Sequence, residues 1–532
     1  MSPTLTRPRQ RAGRVEAPDK VTGRARYSYE YRLAELAYAC PVTATIARGE
    51  LAEVDADAAL ALPGLLAVIT PDNAPPLADT GDPELALFQS RRVAYRGQFI
   101  AAVVATSLEV ATEAAAAVRV RYREEPHDAV LRADDPRQYA PPHVNPRYET
   151  DTALGDFEAA FAASPIAVDE EYRTPPEHNH PMEPHATVAA WSSTAAGDLL
   201  TLYDSNQGPV RTRAALAEVF GLELHQVHVI SEHVGGAFGS KGTPRPNAVL
   251  AALAARMVGR PVKVAVTRQQ MFSVVGYRTP TIQRVRLGAE VDGRLNAIAH
   301  DVIEQTSTVK EYAEQTALPT RHMYAAPHRR TTHRLVALDV PSPSWMRAPG
   351  ETPGMFALES AMDELAVASG VDPVELRVRN EPRVSPESGK PFSSRHLVEC
   401  LRDGAARFGW SPRDPQPRAR RQGRWWIGTG VACSIYPARA IRSQARARAL
   451  EHGGFEVGID ACDIGTGART MIQRVAAETL GVDRDQVRVR IADSDLPDAM
   501  IAGGSTGTAS WSWAVIKACQ ALAAQLAATG GV

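Results

Sequence analysis

The sequence predicts a mixed α/β (α+β) chain of several domains in which one structural unit occurs twice. Three observations carry this. At 532 residues the chain is longer than a single hydrophobic core supports, which points to two to four domains. Apolar runs of strand length alternate with Ala-rich runs of helical length. A strand, a turn, a helix, a second strand and a glycine loop recur in the same order in both halves.

In chain order, residues 64–70 and Phe99–Ala105 read as strands, the latter apolar throughout and so buried on both faces. Ser107 is placed to N-cap an Ala-rich helix over Leu108–Ala117, and residues 118–122 alternate as a strand. Residues 123–145, rich in Pro, Asp and His, read as a linker, and Pro, Arg and Gly concentrate again at 381–390 and 411–423. These breaks divide the chain into residues 1–135, 136–385 and 386–532.

The repeat pairs residues 221–230 (GLELHQVHVI) with 481–490 (GVDRDQVRVR). Each follows a helix, 211–220 or 471–480, and opens with Gly where a helix C-cap belongs. A strand and turn precede each helix: 200–203 with Ser205-Asn-Gln-Gly208, and 457–461 with Asp463-Ile-Gly-Thr-Gly467. A glycine loop follows each second strand, Gly235-Gly-Ala-Phe-Gly-Ser-Lys-Gly242 and Gly503-Gly-Ser-Thr-Gly-Thr508, the last trailed by a helix over 514–527. Bare amides at helix starts and nests favour anionic phosphate oxygens, so two such units form a clamp for an elongated, phosphate-bearing cofactor. A duplicated scaffold unit without a ligand, or a nucleotide-binding module without metal, stays open at this point.

Other classes are excluded or weakened. Net charge is −2, from 59 basic and 61 acidic residues, with no pull toward nucleic acid or anionic membrane. No apolar run approaches the roughly 20 residues that cross a bilayer. Cys40, Cys400, Cys433, Cys462 and Cys519 are scattered, which argues against a disulfide framework or an iron–sulfur cluster in this chain. Gly235–Gly242 is not a Walker loop, because Ser240 precedes Lys241. His178, His180, Glu183 and His185 are dense enough to suggest zinc, but Pro181 and Pro184 prevent the helix that would align them, and a pocket-lining turn is the preferred reading. Met346-Arg-Ala-Pro-Gly-Glu351 lies between a strand at 335–340 and a helix at 355–368, which sets Arg347 on a rigid turn as a clamp for anionic oxygen.

Together with Gly13-Arg-Val-Glu-Ala-Pro-Asp-Lys-Val-Thr-Gly-Arg-Ala-Arg-Tyr27, Tyr95-Arg-Gly-Gln98 and Met182-Glu-Pro-His-Ala186, these motifs follow one another in an order that resembles the molybdenum-binding large subunits of the xanthine dehydrogenase and aldehyde oxidase family. The bacterial periplasmic-type aldehyde oxidoreductase branch resembles it best. The resemblance implies an N-terminal hammerhead domain (1–135) and two molybdopterin-binding domains (136–385 and 386–532), the second incomplete. It implies molybdopterin cytosine dinucleotide whose molybdenum carries a sulfido ligand, with no iron–sulfur or FAD group in this chain. Gly236, Ala237, Phe238 and Gly239 match the family loop beside the metal. Ile464, Gly465 and Thr466, with Gly507 and Thr508, match the dinucleotide cradle. Arg347 matches a cofactor-side arginine, and Gln207 lies in a turn near the metal; both carry supporting catalytic roles.

The implied activity is hydroxylation of aldehydes to carboxylic acids, with oxygen from water and electrons passed to a 2Fe–2S subunit and an FAD subunit. The implied compartment is cytoplasmic, or periplasmic by co-export with a partner. Purine hydroxylases of the family place an aromatic residue after the loop Arg-Gly, whereas Arg347 is followed here by Ala348 and Pro349; carbon monoxide dehydrogenases place a cysteine directly after the arginine, where this chain has Ala348. Tyr436 aligns with a substrate-pocket position that is arginine in some aldehyde-oxidising relatives. The family's glutamate base belongs to a Gly-x-Gly-Glu loop that falls beyond Val532. The expectation is therefore a C-terminally truncated chain, inactive by itself, or a catalytically dead remnant.

Overall fold

The structure, a computed structural model, describes residues 13–195, 197–411, 413–416 and 418–529. Its described residues divide into two compact units, those within 1–127, 179–276 and 438–532 and those within 128–178 and 277–437.

The first unit is built on a seven-stranded sheet. In spatial order it runs Val227–Ile230, Gly197–Asp204, Ala186–Thr194, Val262–Ala265, Ala37–Thr43, Phe99–Ala105 and Leu65–Ile69. Phe99–Ala105 is buried at every residue, as its unbroken apolar run requires. Ser107 accepts a hydrogen bond from the Val110 amide and starts the helix Leu108–Ala117. The helix Pro246–Val258 is buried from Pro246 through Ala255 and forms the main core with Leu200, Leu202 and Val264.

A three-stranded sheet, Arg446–Ala449, Phe455–Ile459 and Val487–Ile491, carries the helices Ala468–Leu480 and Gly507–Ala528 over a core of Val457, Ile459, Ile472, Trp511 and Val515.

The repeat is structural as well as sequential. Gly197–Asp204 pairs in parallel with Val227–Ile230, and Phe455–Ile459 with Val487–Ile491, each across one helix. Both helices end on a left-handed glycine, Gly221 (φ +63°) and Gly481 (φ +71°). Both then enter a short 3₁₀ turn closed by the same box, in which the Glu223 or Asp483 amide donates to the side chain of Gln226 or Gln486. The two copies meet edge to edge, with Ser231 donating to the Ala492 carbonyl and Ser494 to that of Val229.

The second unit holds a five-stranded sheet in the order Thr152–Leu154, His328–Leu338, Leu295–Ser307, Thr281–Ala289, Ile166–Thr174. The helix Glu351–Ser369 packs Met355, Leu358, Met362 and Leu365 against Val285 and Leu287.

Four helices start earlier than the sequence reading placed them, among them Glu351–Ser369, expected from 355. Pro209–Phe220 gains its first turn from Pro209, whose fixed φ suits that position. Ala468–Leu480 begins directly after Gly467, which is left-handed. Gly507 and Thr508, read as loop, are the first turn of a helix that begins at Gly507, where Ser510 returns both its amide and its hydroxyl to the Thr506 carbonyl. Among the described residues, no helix is long and apolar enough to cross a membrane.

Candidate functional site

The first glycine loop is built on a buried ion pair. Glu183 Oε2 accepts from Lys241 Nζ (2.8 Å), the Gly235 amide (2.8 Å) and the Ser205 hydroxyl (2.7 Å). One carboxylate thereby ties the Met182–His185 segment to both ends of the loop and to the turn at 205–208. His185, fully buried, sets Nε2 against the Ser240 carbonyl, and burial beside Lys241 and Arg245 pushes its pKa well down. Glu183 and His185 are thus spent on structure. Within the loop, Gly236 (φ +92°), Phe238 (φ +55°) and Gly239 (φ +109°) all take positive φ. Phe238 is a strained, 41% exposed ring whose carbonyl is held by Asn179 Nδ2 at 2.8 Å. Ala237 is buried beside it.

Gln207 links this loop to the second one. Its Oε1 accepts from the Gly239 amide (3.1 Å), and its Nε2 donates to the Ala502 carbonyl (2.6 Å), directly before Gly503. Its own main chain adds two bonds, to the Lys241 carbonyl and from the Ala502 amide, each 2.9 Å.

The second cradle is a pair of helix starts. Asp463 Oδ1 accepts from the amides of Gly465 (2.9 Å) and Gly467 (3.1 Å), which folds the Ile464-Gly-Thr466 turn in front of Ala468–Leu480. Ser512, early in Gly507–Ala528, donates to Met471 Sδ at 3.3 Å, so the two helices begin side by side. First-turn amides have no acceptor inside a helix, and two adjacent starts concentrate positive potential. Gly465 has φ +101° and a Cβ built on it meets nothing within 4 Å, so the turn faces open space. Arg14 borders it, donating from Nη1 to the Gly465 carbonyl at 2.8 Å, while Thr470 Oγ1 is engaged by the Val15 amide and Glu16.

Arg347 and Tyr436 belong to the second unit. Arg347 is exposed on the turn between His328–Leu338 and Glu351–Ser369; Ala348 has φ +57°, and Tyr436 is 37% exposed.

Comparison with known proteins agrees with this geometry. Residues 139–381 and 403–531 each match a molybdopterin cofactor-binding domain, and residues 22–126 match the a/b hammerhead domain of aldehyde oxidase and xanthine dehydrogenase. The aldehyde oxidoreductase molybdenum-binding subunit PaoC of Escherichia coli (strain K12) is 38% identical over 522 residues, covering 97% of this chain and 70% of that subunit. The chain belongs to the xanthine dehydrogenase and aldehyde oxidase family, as a molybdenum-binding subunit. A putative xanthine dehydrogenase molybdenum-binding subunit of the same organism is 31% identical, over 90% of this chain and 66% of its own length. The fold is that of the aldehyde oxidoreductase from Desulfovibrio gigas (TM-score 0.83, 23% identity, 98% of this chain, 61% of that one). It is also that of quinoline 2-oxidoreductase from Pseudomonas putida 86 (TM-score 0.82, 22% identity, 96% and 69%).

The residues fit the family's molybdopterin group: the donors are main-chain amides at paired helix starts, bordered by one arginine, as phosphate oxygens require. Sequence reasoning quoted Arg14 and Glu351 only within motifs and missed Arg278 and Glu314, which the second unit buries beneath the Arg347 turn. It also missed His228, Asp493 and Asp495, whose side-chain atoms gather within 4.8 Å; Arg213 and Arg490 lie against the same carboxylates, which makes this an ion-pair network.

Proposed function

We propose that this molybdenum-binding subunit oxidises aldehydes to carboxylic acids, with water as the oxygen source, in an assembly with a 2Fe–2S subunit and an FAD subunit that receive the two electrons. One observation carries the reading of the site: Gln207 binds the Gly235–Gly242 loop and the approach to Gly503 into a single double cradle. In this reading the cofactor is the cytosine dinucleotide form, with a sulfido ligand on molybdenum. The division into 1–135, 136–385 and 386–532 is part of the same reading.

When bound, the metal centre supplies Lewis acidity and takes up the electron pair of the oxidation. The chain's own residues bind and orient the group and the substrate. Gly236 and Gly239 bring bare backbone close to the group, while Ala237 and Phe238 pack beside it and exclude water. Ile464, Thr466, Gly507 and Thr508 hold phosphate oxygens, Gly465, whose amide is taken by Asp463, leaves the room for them, and Arg14 neutralises charge. Gln207 acts by positioning, since both ends of its amide are engaged by the two loops. Arg347 offers a guanidinium fork to anionic oxygen. Ala348 sets neither ring nor thiol beside it, which favours aldehydes over purines or carbon monoxide. Tyr436 presents a phenol to substrate and favours neutral or aromatic aldehydes. The compartment, cytoplasmic or periplasmic by co-export, is set by the partner subunits.

The test is isotopic. The assembled enzyme, turned over with benzaldehyde in ¹⁸O-labelled water, is expected to give benzoate carrying the label. Unlabelled benzoate, or no oxidation of any aldehyde by the assembly, overturns the reading.

A further inference from the structure

Beneath the Met346–Glu351 turn lies a buried polar cluster that no cofactor role accounts for. Arg278 is 2% exposed, and its main chain pairs both ways with Glu177. Its Nη1 meets the Glu177 carboxylate at 2.5 Å. Its Nη2 reaches three successive carbonyls, those of Met346 (3.1 Å), Arg347 (2.5 Å) and Ala348 (3.4 Å). Its Nε faces Glu314 Oε1 at 3.4 Å, and the same oxygen accepts the Gly350 amide at 2.7 Å. Gln315 Nε2 takes the Pro349 carbonyl at 2.6 Å. Gly350 has φ +81°, and a Cβ there would come within 2.4 Å of the Gln315 carbonyl, so the turn is pressed onto this floor. The main chain from Met346 to Gly350 is gripped from below while the Arg347 side chain stays exposed.

We propose that the Arg278–Glu314 pair is a positioning device for Arg347, holding the turn's backbone so that the guanidinium is presented in one place. Arg278 suits the task because a planar fork serves several carbonyls at once, which an ammonium does not. Removing it leaves buried Glu314 without its cation and takes one donor from each of three carbonyls, of which Arg347 keeps the Thr352 hydroxyl and Ala348 the Thr352 amide.

The device is sensitive to protons. Glu314 is surrounded by Glu304, which accepts its amide at 3.0 Å, by Glu351 at the start of the next helix, by Tyr312, and by Arg278 with Glu177. Burial pushes the Glu314 carboxyl up to about 7, with Arg278 and the Gly350 amide opposing. Above that value the ionised carboxylate grips Arg278 and Gly350 more strongly, so the turn tightens as pH rises.

The proposal rests on the role given to Arg347, and its test separates the two. Amide hydrogen exchange is followed over residues 346–352 in the assembled protein, together with molybdenum content and steady-state kinetics. Arg278→Lys is expected to speed exchange of this segment about tenfold while Phe99–Ala105 keeps its protection. Molybdenum content should hold, and kcat/KM should fall about as far as in Arg347→Gln. Glu314→Gln keeps an acceptor for Gly350 and folds isosterically; it should flatten the pH dependence of the segment's exchange, corrected for intrinsic rates, between about pH 6 and about pH 8. Unchanged exchange in both variants overturns the clamp. If Arg347→Gln leaves kinetics untouched, the role of Arg347 falls, and the exchange data still decide whether the pair holds the turn.

Discussion

Lys241 Nζ lies 2.8 Å from Glu183 Oε2 with both side chains buried, 0% and 9% exposed, and that one carboxylate oxygen also holds the Gly235 amide and the Ser205 hydroxyl. The pair is the pin on which the first glycine loop turns. Such a pair contributes little net stability over an apolar replacement, but breaking it from one side leaves a buried charge. Lys241→Met is expected to destabilise the protein by about 3–5 kcal/mol in denaturant titrations. Lys241→Met with Glu183→Gln should recover much of that loss while leaving cofactor retention impaired. A single variant as stable as the parent would contradict this account of the loop.

The second cradle depends on Gly465. Its φ of +101° is strained for any other residue, and the added Cβ would project into the open space that the turn faces. Gly465→Ala is expected to lower bound nucleotide about tenfold or more with helix content by circular dichroism unchanged. Retention equal to the parent's would remove this turn from the cofactor site.

Glu351 gives a pH signature. It sits in the first turn of Glu351–Ser369, and burial together with Glu314 pushes its pKa from 4.5 up to about 7. A carboxyl raised on folding binds an extra proton in the native state between those two values. Its contribution is therefore complete below about 4.5 and is lost as pH rises to about 7. Glu351→Gln should raise the thermal midpoint at about pH 8 and leave it nearly unchanged at about pH 4.5. The opposite order would show that the ionised form is the one the fold favours.

Tyr436 tests substrate choice. In the assembled enzyme, Tyr436→Arg is expected to shift relative kcat/KM toward an anionic aldehyde such as glyoxylate, over benzaldehyde, by about tenfold or more. An unchanged ratio would take Tyr436 out of the pocket.

Much of this was legible from sequence because the unit repeats. Gly221 and Gly481 announced their left-handed caps by following Ala-rich helices, and both loops followed from the paired strands. The helix starts were less legible: Gly507 and Thr508 read as loop because two glycines and a threonine precede them, whereas Ser510 closes a turn there. The links between distant motifs were not legible at all. Gln207 meets Ala502, and Arg14 meets Gly465, across hundreds of residues, and no local pattern encodes such a contact. Arg278 and Glu314 were hidden for another reason. A charged residue reads as solvated, and only the tertiary structure shows that Glu304, Glu314 and Arg278 are buried together.

The most direct test of the central claim is the cofactor content of the protein purified after co-production with the proposed iron–sulfur and FAD partners. The account predicts molybdenum and cytidine monophosphate released by mild acid in equal amounts, about one of each per chain. Protein that binds a nucleotide without molybdenum, or folds fully with neither, would contradict it.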